Sequence, residues 1–214
     1  METSERMTAI TRLMGEHYGD VDERPRGPRD PYRTLIGCVL SHRTRDENSS
    51  RAARNLFEEI EGPLDILAMN KDALKELIRC SGFFNQKARR IVAISRVLVD
   101  DFGGVVPYDR ETLMGLPGVG PKTADIVLSY AYEKPAIAVD VHVSRVARRL
   151  GLAPGDAGPE RVKKVLESLV PPDSYRFVDH AFVRHGKEYC RNSKPRCGGC
   201  FLSELCEYPG SQSQ

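Results

Sequence analysis

The stretch Leu116-Pro-Gly-Val-Gly-Pro-Lys122 lies between two segments of helical periodicity, and it is the part of the sequence that decides the fold. Asp109 can cap a short helix over residues 110–115, because its carboxylate accepts hydrogen bonds from the free amides of the first turn. Pro121 suits the first position of a following helix, in which apolar residues recur every three or four positions from Ala124 onward. The sequence therefore predicts two helices joined by a tight hairpin.

The hairpin contains two glycines, Gly118 and Gly120, which have no Cβ and can adopt positive φ. Such a backbone can approach another group closely, and its amides point outward beside the positive end of the following helix. This combination favours phosphate binding. Short glycine motifs are also common in plain turns between packed helices, so the hairpin alone leaves both interpretations open.

Lys122 lies in the first turn of the helix after the hairpin, where the helix dipole disfavours a cation. Other cations nearby, or partial burial, would favour the neutral amine that a lysine nucleophile requires. A surface lysine that helps to bind a phosphate is the alternative interpretation of the same position.

Asp140 follows the apolar stretch Ile137-Ala-Val139 and precedes a helix predicted over residues 141–150. This position favours a helix N-cap. A capping carboxylate is held rigidly, so it could also accept a proton from a nucleophile or stabilise positive charge on a sugar. The two roles are compatible.

Helical periodicity continues through the rest of the chain, and the alternation typical of strands is scarce. The 214 residues are enough for one large or two small domains. The predicted class is all-α, with helices over residues 46–61, 72–80, 86–101, 110–115, 121–131, 141–150, 160–169 and 175–187.

Four cysteines near the C-terminus, Cys190-x6-Cys197-x2-Cys200-x5-Cys206, could bind either a zinc ion or an iron–sulfur cluster through their thiolates. Only Cys197 and Cys200 form the short knuckle typical of zinc ribbons, and the wider gaps favour a bulkier [4Fe–4S] centre. Disulfides would require an oxidising compartment, whereas residues 1–7 are polar and have no signal-peptide character. We therefore expect a cytoplasmic protein with a metal centre.

One further cysteine and four histidines are predicted to have structural roles. Cys38 lies in an apolar run and is predicted to be a core thiol. Four histidines have no metal-ligand spacing and are predicted to make polar contacts or lie on helix surfaces: His42, His142, His180 and His185.

The formal net charge of +2 does not by itself indicate a nucleic-acid partner, but the distribution of charge is uneven. Between Arg184 and Arg196 there are five Lys or Arg residues and one acidic residue, Glu188. Three of the cations, Arg191, Lys194 and Arg196, lie in the first cysteine loop. They form either a solvated face or a phosphate-binding surface. No apolar run is long enough to span a membrane.

The sequence resembles the endonuclease III branch of the helix-hairpin-helix DNA glycosylases along nearly the whole chain. The resemblance is carried by Leu35–Asp46, Gly82-Phe-Phe-Asn-Gln-Lys-Ala88, the hairpin 116–122, Ile137-Ala-Val-Asp-Val-His142 and the four cysteines in the spacing of that family. It implies two helical domains, residues 24–134 and residues 1–23 with 135–214, that flank a DNA-binding cleft.

The resemblance also implies an activity. The protein would be a monomeric, bifunctional DNA glycosylase and AP lyase that acts on double-stranded DNA, removes oxidised pyrimidines and nicks abasic sites by β-elimination. Lys122 and Asp140 would be catalytic, and Cys190, Cys197, Cys200 and Cys206 would bind a [4Fe–4S] cluster. The enzyme would be associated with the nucleoid through its DNA substrate.

The DNA contacts implied by the resemblance fall on seven residues. The phosphate contacts would come from Gly118, Gly120, Arg191, Lys194 and Arg196. Arg43 and Phe83 stand at positions where many relatives have a Gln and often a Leu that occupy the gap left by a flipped base. Both can still do so, because an aromatic ring stacks and a guanidinium can hydrogen-bond to the orphaned base.

Two alternatives belong to different functional classes. A mismatch-specific thymine, uracil or adenine glycosylase of the same superfamily typically lacks the lysine of the hairpin helix, so Lys122 argues against it. A non-enzymatic DNA-binding module with a structural zinc would need neither Lys122 nor Asp140 as catalytic groups.

Overall fold

The computed structural model describes residues 2–19 and 29–209, and every regular element within these ranges is helical. The all-α prediction is confirmed. The α-helices are α1 Thr3–Tyr18, α2 Pro31–Ser41, α3 Asp46–Glu59, α4 Pro63–Ala68, α5 Lys71–Leu77, α6 Phe84–Phe102, α7 Arg110–Gly115, α8 Pro121–Ala131, α9 Val141–Arg149, α10 Pro159–Leu169 and α11 Tyr175–Glu188. Short 3-10 turns cover Pro172–Ser174, Cys197–Gly199 and Ser203–Leu205.

The chain forms two compact units, one of residues 29–134 and the other of residues 2–19 and 135–209. The predicted domain boundary between residues 23 and 24 lies outside the described residues. No helix in the described ranges is long and apolar enough to cross a membrane.

In the unit of residues 29–134, α2 is the central helix and packs against α3, α6 and α8. Leu35, Ile36, Val39 and Leu40 of α2 are buried, because the helix has neighbours on several sides. α8 also packs against α7, and these two helices flank the hairpin. The core of this unit therefore fixes the hairpin from its α8 side.

The second unit is built around α9, which packs against α10 and α11. Its core includes Met7 and Met14 from α1 and the fully buried Phe182 from α11. The four cysteines follow α11, and Cys190, Cys200 and Cys206 pack against this core. The cysteine segment is therefore joined to a helical core and does not stand alone.

Candidate functional site

The hairpin is a tight turn closed by a hydrogen bond from the Val119 amide to the Leu116 carbonyl at 3.0 Å. Gly118 has φ +73°, and a Cβ there would lie 2.7 Å from Cζ of Arg90, so a larger residue would be strained and would have to displace the Arg90 side chain. Gly120 has φ −105°, and a Cβ there would meet no atom within 4 Å. Both glycines can adopt positive φ, and Gly118 is the one of the two that does so.

The helices on both sides of the hairpin are fixed by acidic side chains. Asp109 caps α7, as predicted, by accepting a hydrogen bond from the Thr112 amide at 2.9 Å. Asp125 of α8 is 2 % exposed, and its carboxylate accepts two hydrogen bonds from Arg110 of α7, at 2.9 and 3.2 Å. This bidentate ion pair joins the two helices and holds the hairpin in place.

Lys122 is the second residue of α8, and its side chain is exposed. The surroundings are cationic. Burial lowers the pKa of His42, and the charges of Arg90, Lys122 and Lys87 lower it further. Burial raises the pKa of the Cys38 thiol to about 11, which the charge of Lys122 partly opposes. The His42 imidazole and the Cys38 thiol therefore both lie within range of the Lys122 charge.

Asp140 is the N-cap of α9, as its position in the sequence predicts. One carboxylate oxygen, Oδ1, accepts hydrogen bonds from the amides of His142 at 2.7 Å and Val143 at 2.9 Å. The side chain is half-buried. The carboxylate is thus fixed relative to the helix axis.

Arg43 and Phe83 lie in two short connections of the same unit, before α3 and before α6. Both residues have left-handed backbones, with φ of +51° and +59°, although neither is a glycine. The Phe83 side chain is 59 % exposed, and Arg43 is exposed as well. Strained backbones that present exposed side chains are typical of functional positions.

The four cysteines of the C-terminal segment line a single cavity with about 380 Å³ of atom-free space, part of it open to solvent. Burial, together with the neighbouring thiols of Cys206, Cys190 and Cys197, raises the pKa of Cys200 to about 11. The four thiols therefore lie close enough together for the other three to affect the charge state of Cys200. Among the described residues, no three His, Cys, Asp or Glu side chains form a ready group for a single metal ion.

The basic residues of the first cysteine loop are all exposed: Arg191, Lys194 and Arg196. Lys194 has φ +51°, and the Arg191 guanidinium donates from Nε to the Lys187 carbonyl at 3.3 Å. Their exposure is compatible with a phosphate-binding surface and with a solvated face.

These features agree with comparisons to known proteins. Residues 36–172 match the HhH-GPD superfamily of base excision DNA repair proteins. Endonuclease III of Thermotoga maritima is 45 % identical over 179 residues, which are 84 % of this chain and 84 % of that protein. The chain belongs to the endonuclease III family.

Solved structures extend the likeness of this endonuclease III family member to the whole fold. A trapped endonuclease III–DNA covalent intermediate, in an estranged-adenine complex, has a TM-score of 0.90 and 34 % identity, with 100 % of both chains covered. A thermostable thymine-DNA glycosylase has a TM-score of 0.83 and 28 % identity, with 96 % of this chain and 97 % of that chain covered. The fold alone therefore does not separate these two activities.

The sequence patterns missed two arginines that contact the cysteine segment. Arg145 donates from Nε to the Cys190 carbonyl at 2.7 Å, and Arg149 donates from Nη1 to the Cys190 sulfur at 3.5 Å and to the Arg191 carbonyl at 2.8 Å. Their spacing of four residues places them on one face of α9, which could have indicated a shared binding partner. Nothing in the sequence indicated that this partner is the cysteine segment.

His185 makes the polar contacts that the sequence allowed for it, and its side chain is buried at 2 % exposure. Its Nδ1 lies 3.3 Å from the Tyr18 hydroxyl, and its Nε2 lies 3.6 Å from the Cys200 sulfur. Burial lowers its pKa to about 4, so the imidazole is neutral near pH 7.

Proposed function

We propose that this protein is a bifunctional DNA glycosylase and AP lyase of base excision repair, acting on double-stranded DNA that contains an oxidised pyrimidine or an abasic site. The observation that carries the proposal is the full-length likeness to an endonuclease III trapped covalently on DNA, in a chain with an exposed lysine directly after the hairpin. A covalent intermediate requires a nucleophile, and Lys122 has the position and surroundings for one.

The proposed reaction begins when a damaged nucleotide leaves the base stack, because its glycosidic bond is inaccessible within the duplex. The Lys122 amine forms a bond to C1′ while the glycosidic bond breaks and the base departs. Asp140 accepts the proton of the attacking amine or stabilises positive charge on the sugar. Ring opening then gives a Schiff base between Lys122 and C1′.

The strand is nicked from this Schiff base. Loss of a proton from C2′ delivers an electron pair that expels the 3′ phosphate, and hydrolysis of the imine afterwards regenerates Lys122. The hairpin amides of Gly118 and Gly120 hold a phosphate in register. Arg191, Lys194 and Arg196 bind the flanking backbone.

Glycine at position 120 supports the phosphate role. The backbone there has an ordinary φ, and a Cβ would touch nothing within 4 Å, so packing within the described residues does not require glycine. A bound phosphate that approaches the Gly120 amide closely would be a physical reason for the missing side chain.

The cysteines are proposed to hold a [4Fe–4S] cluster. Four thiols lining one cavity provide the donor set that such a cluster requires, and Arg149 adds an N–H···S hydrogen bond to Cys190. When bound, the cluster would cross-link the segment that carries Arg191, Lys194 and Arg196. We also propose that the protein acts as a cytoplasmic, nucleoid-associated monomer.

A mismatch-specific thymine glycosylase is the second candidate, because a thymine-DNA glycosylase shares the fold with a TM-score of 0.83. The candidates differ in whether a lysine becomes bonded to the sugar. A monofunctional mismatch glycosylase would leave an intact abasic site and no covalent adduct.

Borohydride trapping tests the proposal, because borohydride reduces a Schiff base to a stable amine. The wild-type protein should become cross-linked to duplexes that carry an oxidised pyrimidine or an abasic site. Lys122→Gln should abolish the adduct and leave DNA binding largely intact. Lys71→Gln is the matched control, since Lys71 is an exposed lysine at the start of α5. An undiminished adduct in Lys122→Gln would contradict the assignment.

A further inference from the structure

Lys87, in the first turn of α6, is a buried lysine with only neutral acceptors. It is 4 % exposed, and its Nζ donates to the Leu40 carbonyl and to Oγ1 of Thr44, both at 2.6 Å. Within the described residues, no carboxylate forms an ion pair with it. Burial alone lowers its pKa to about 8. Burying an unpaired charge is unfavourable, so the presence of lysine here calls for a physical reason.

The contacts of Lys87 join two segments, the Arg43 loop (residues 42–45) and the Phe83 turn (residues 81–84). Its side chain binds Leu40 and Thr44, which bracket Arg43 in the chain. Its backbone amide donates to the Phe83 carbonyl at 3.1 Å. One residue therefore holds both segments.

The two segments also touch directly. A Cβ at Gly82 would lie 3.4 Å from the Arg43 carbonyl oxygen and 3.5 Å from Oγ1 of Thr44. The Phe83 turn thus lies against the backbone of the Arg43 loop. A change in the position of either segment must be transmitted to the other.

Each segment carries a residue that needs support. Arg43 and Phe83 adopt left-handed backbones, which are unfavourable for a residue with a Cβ. Such backbones persist only where neighbouring contacts hold them. The Leu40 carbonyl belongs to the last turn of α2, where a cation is favoured by the helix dipole, so an ammonium group suits this place better than a neutral donor.

We propose that Lys87 is a positioning residue that clamps the Arg43 loop onto the Phe83 turn and so fixes the separation of the two side chains that enter the duplex when a nucleotide is flipped. This inference rests on the proposed function. A preset pair of side chains can occupy the gap as the base leaves, whereas a loose pair must be ordered during flipping. The clamp therefore matters for base-paired lesions and much less for a site that has already lost its base.

The test compares single-turnover rates on two duplexes, one with a paired oxidised pyrimidine and one with an abasic site at the same position. Lys87→Met keeps a long apolar side chain and removes the Nζ hydrogen bonds. It should lower the ratio of the paired-lesion rate to the abasic-site rate by about tenfold or more, as expected from losing one hydrogen bond to a charged group. An equal fall in both rates would mark Lys87 as a purely structural lysine and overturn the proposal.

A matched pair at Thr44 decides the question even if Lys87→Met fails to fold. Thr44→Val removes the hydroxyl acceptor at nearly constant volume and should lower the rate ratio in the same direction. Thr44→Ser keeps the hydroxyl and should preserve the wild-type ratio. Equal ratios for the valine and serine variants would overturn the clamp.

Phe83→Ala separates failure of the clamp from failure of the proposed function. It removes the wedge itself and should lower the same ratio. A lowered ratio in Phe83→Ala together with a wild-type ratio in Lys87→Met and Thr44→Val overturns the clamp alone. An unchanged ratio in Phe83→Ala shows that Phe83 is not a wedge and overturns the clamp while leaving the proposed function standing. A wild-type protein that cleaves neither duplex identifies the proposed function as the part that failed.

Discussion

At the scale of single residues, local patterns in the sequence predicted the helix caps of the chain better than its long-range contacts. Asp109 and Asp140 cap their helices as expected, because an N-cap depends only on the few residues that follow it. The contact between Arg90 and the hairpin at Gly118 could not be predicted, since it joins residues far apart in the sequence. The contacts of Lys87 with Leu40 and Thr44 could not be predicted for the same reason.

Arg43 gives the sharpest prediction about specificity. Its guanidinium can donate two hydrogen bonds to the N7 and O6 edge of a guanine, so Arg43→Ala should change the ratio of activities toward a lesion opposite G and opposite A. The change should reach about 1–3 kcal/mol at most, the value of one good base contact. Single-turnover rates on the two duplexes would measure it.

Arg45→Ala is the control for loss of charge, because Arg45 is an exposed arginine two residues further along the chain. It should leave the ratio of activities unchanged. If Arg43→Ala lowers the rates on both duplexes by the same factor, Arg43 is a backbone contact and does not read the opposite base.

At the scale of elements, the helices around the hairpin were predictable and several others were not. α7 and α8 begin and end at the predicted residues, because Asp109, Pro121 and the apolar spacing of α8 are strong local signals. α2 was not assigned as a helix, since it is buried on several sides and shows a plain apolar run. The helix predicted over residues 46–61 was followed by no further prediction before residue 72, whereas Pro63 begins the six-residue α4.

The ion pair between Arg110 and Asp125 should contribute most of the polar stabilisation of the packing of α7 against α8. Asp125 is buried, so Asp125→Asn would remove the carboxylate that accepts both hydrogen bonds from Arg110 and should lower the free energy of unfolding by about 2 kcal/mol, as expected for hydrogen bonds to a charged group. Denaturant unfolding would measure the loss. The variant should also bind DNA more weakly, because the hairpin between the two helices would lose its fixed orientation.

The matched control for Asp125→Asn is Asp72→Asn, which removes the carboxylate of an exposed pair with Lys75 within α5. Exposed pairs contribute little, so this variant should unfold almost as the wild type does. Equal stability of the two variants would contradict this role of Asp125.

At the scale of the whole molecule, the sequence alone indicated the family, the catalytic candidates and the cysteine ligands, because all of these are carried by short motifs with fixed spacing. The way the cysteine segment is anchored was not predictable. Arg149 of α9 contacts the Cys190 sulfur, while its carbonyl accepts from the Cys206 thiol at 3.2 Å and from the Glu207 amide at 3.1 Å. Glu207 also forms an ion pair with Arg6 of α1. The segment is thus tied to its helical unit at both ends.

The identity of the metal centre proposed for this segment is the prediction that concerns the molecule as a whole. Charge transfer between thiolates and iron should make the purified protein yellow-brown, with about four irons and four inorganic sulfides per chain. Cys200→Ser should lose the iron and the colour, whereas Cys38→Ser should keep both, because Cys38 is buried in the other unit. Metal analysis and the visible spectrum would measure these outcomes.

Loss of the proposed cluster should weaken DNA binding more than it affects borohydride trapping at Lys122. Arg191, Lys194 and Arg196 lie between the first two cysteines, so without the cluster they would lose the fixed positions that we propose for them along the DNA backbone. Lys122 belongs to the unit of residues 29–134, so Cys200→Ser should still be trapped by borohydride at saturating protein concentration. A colourless wild-type protein with one zinc and no iron, and with no borohydride adduct, would instead support a DNA-binding module with a structural metal.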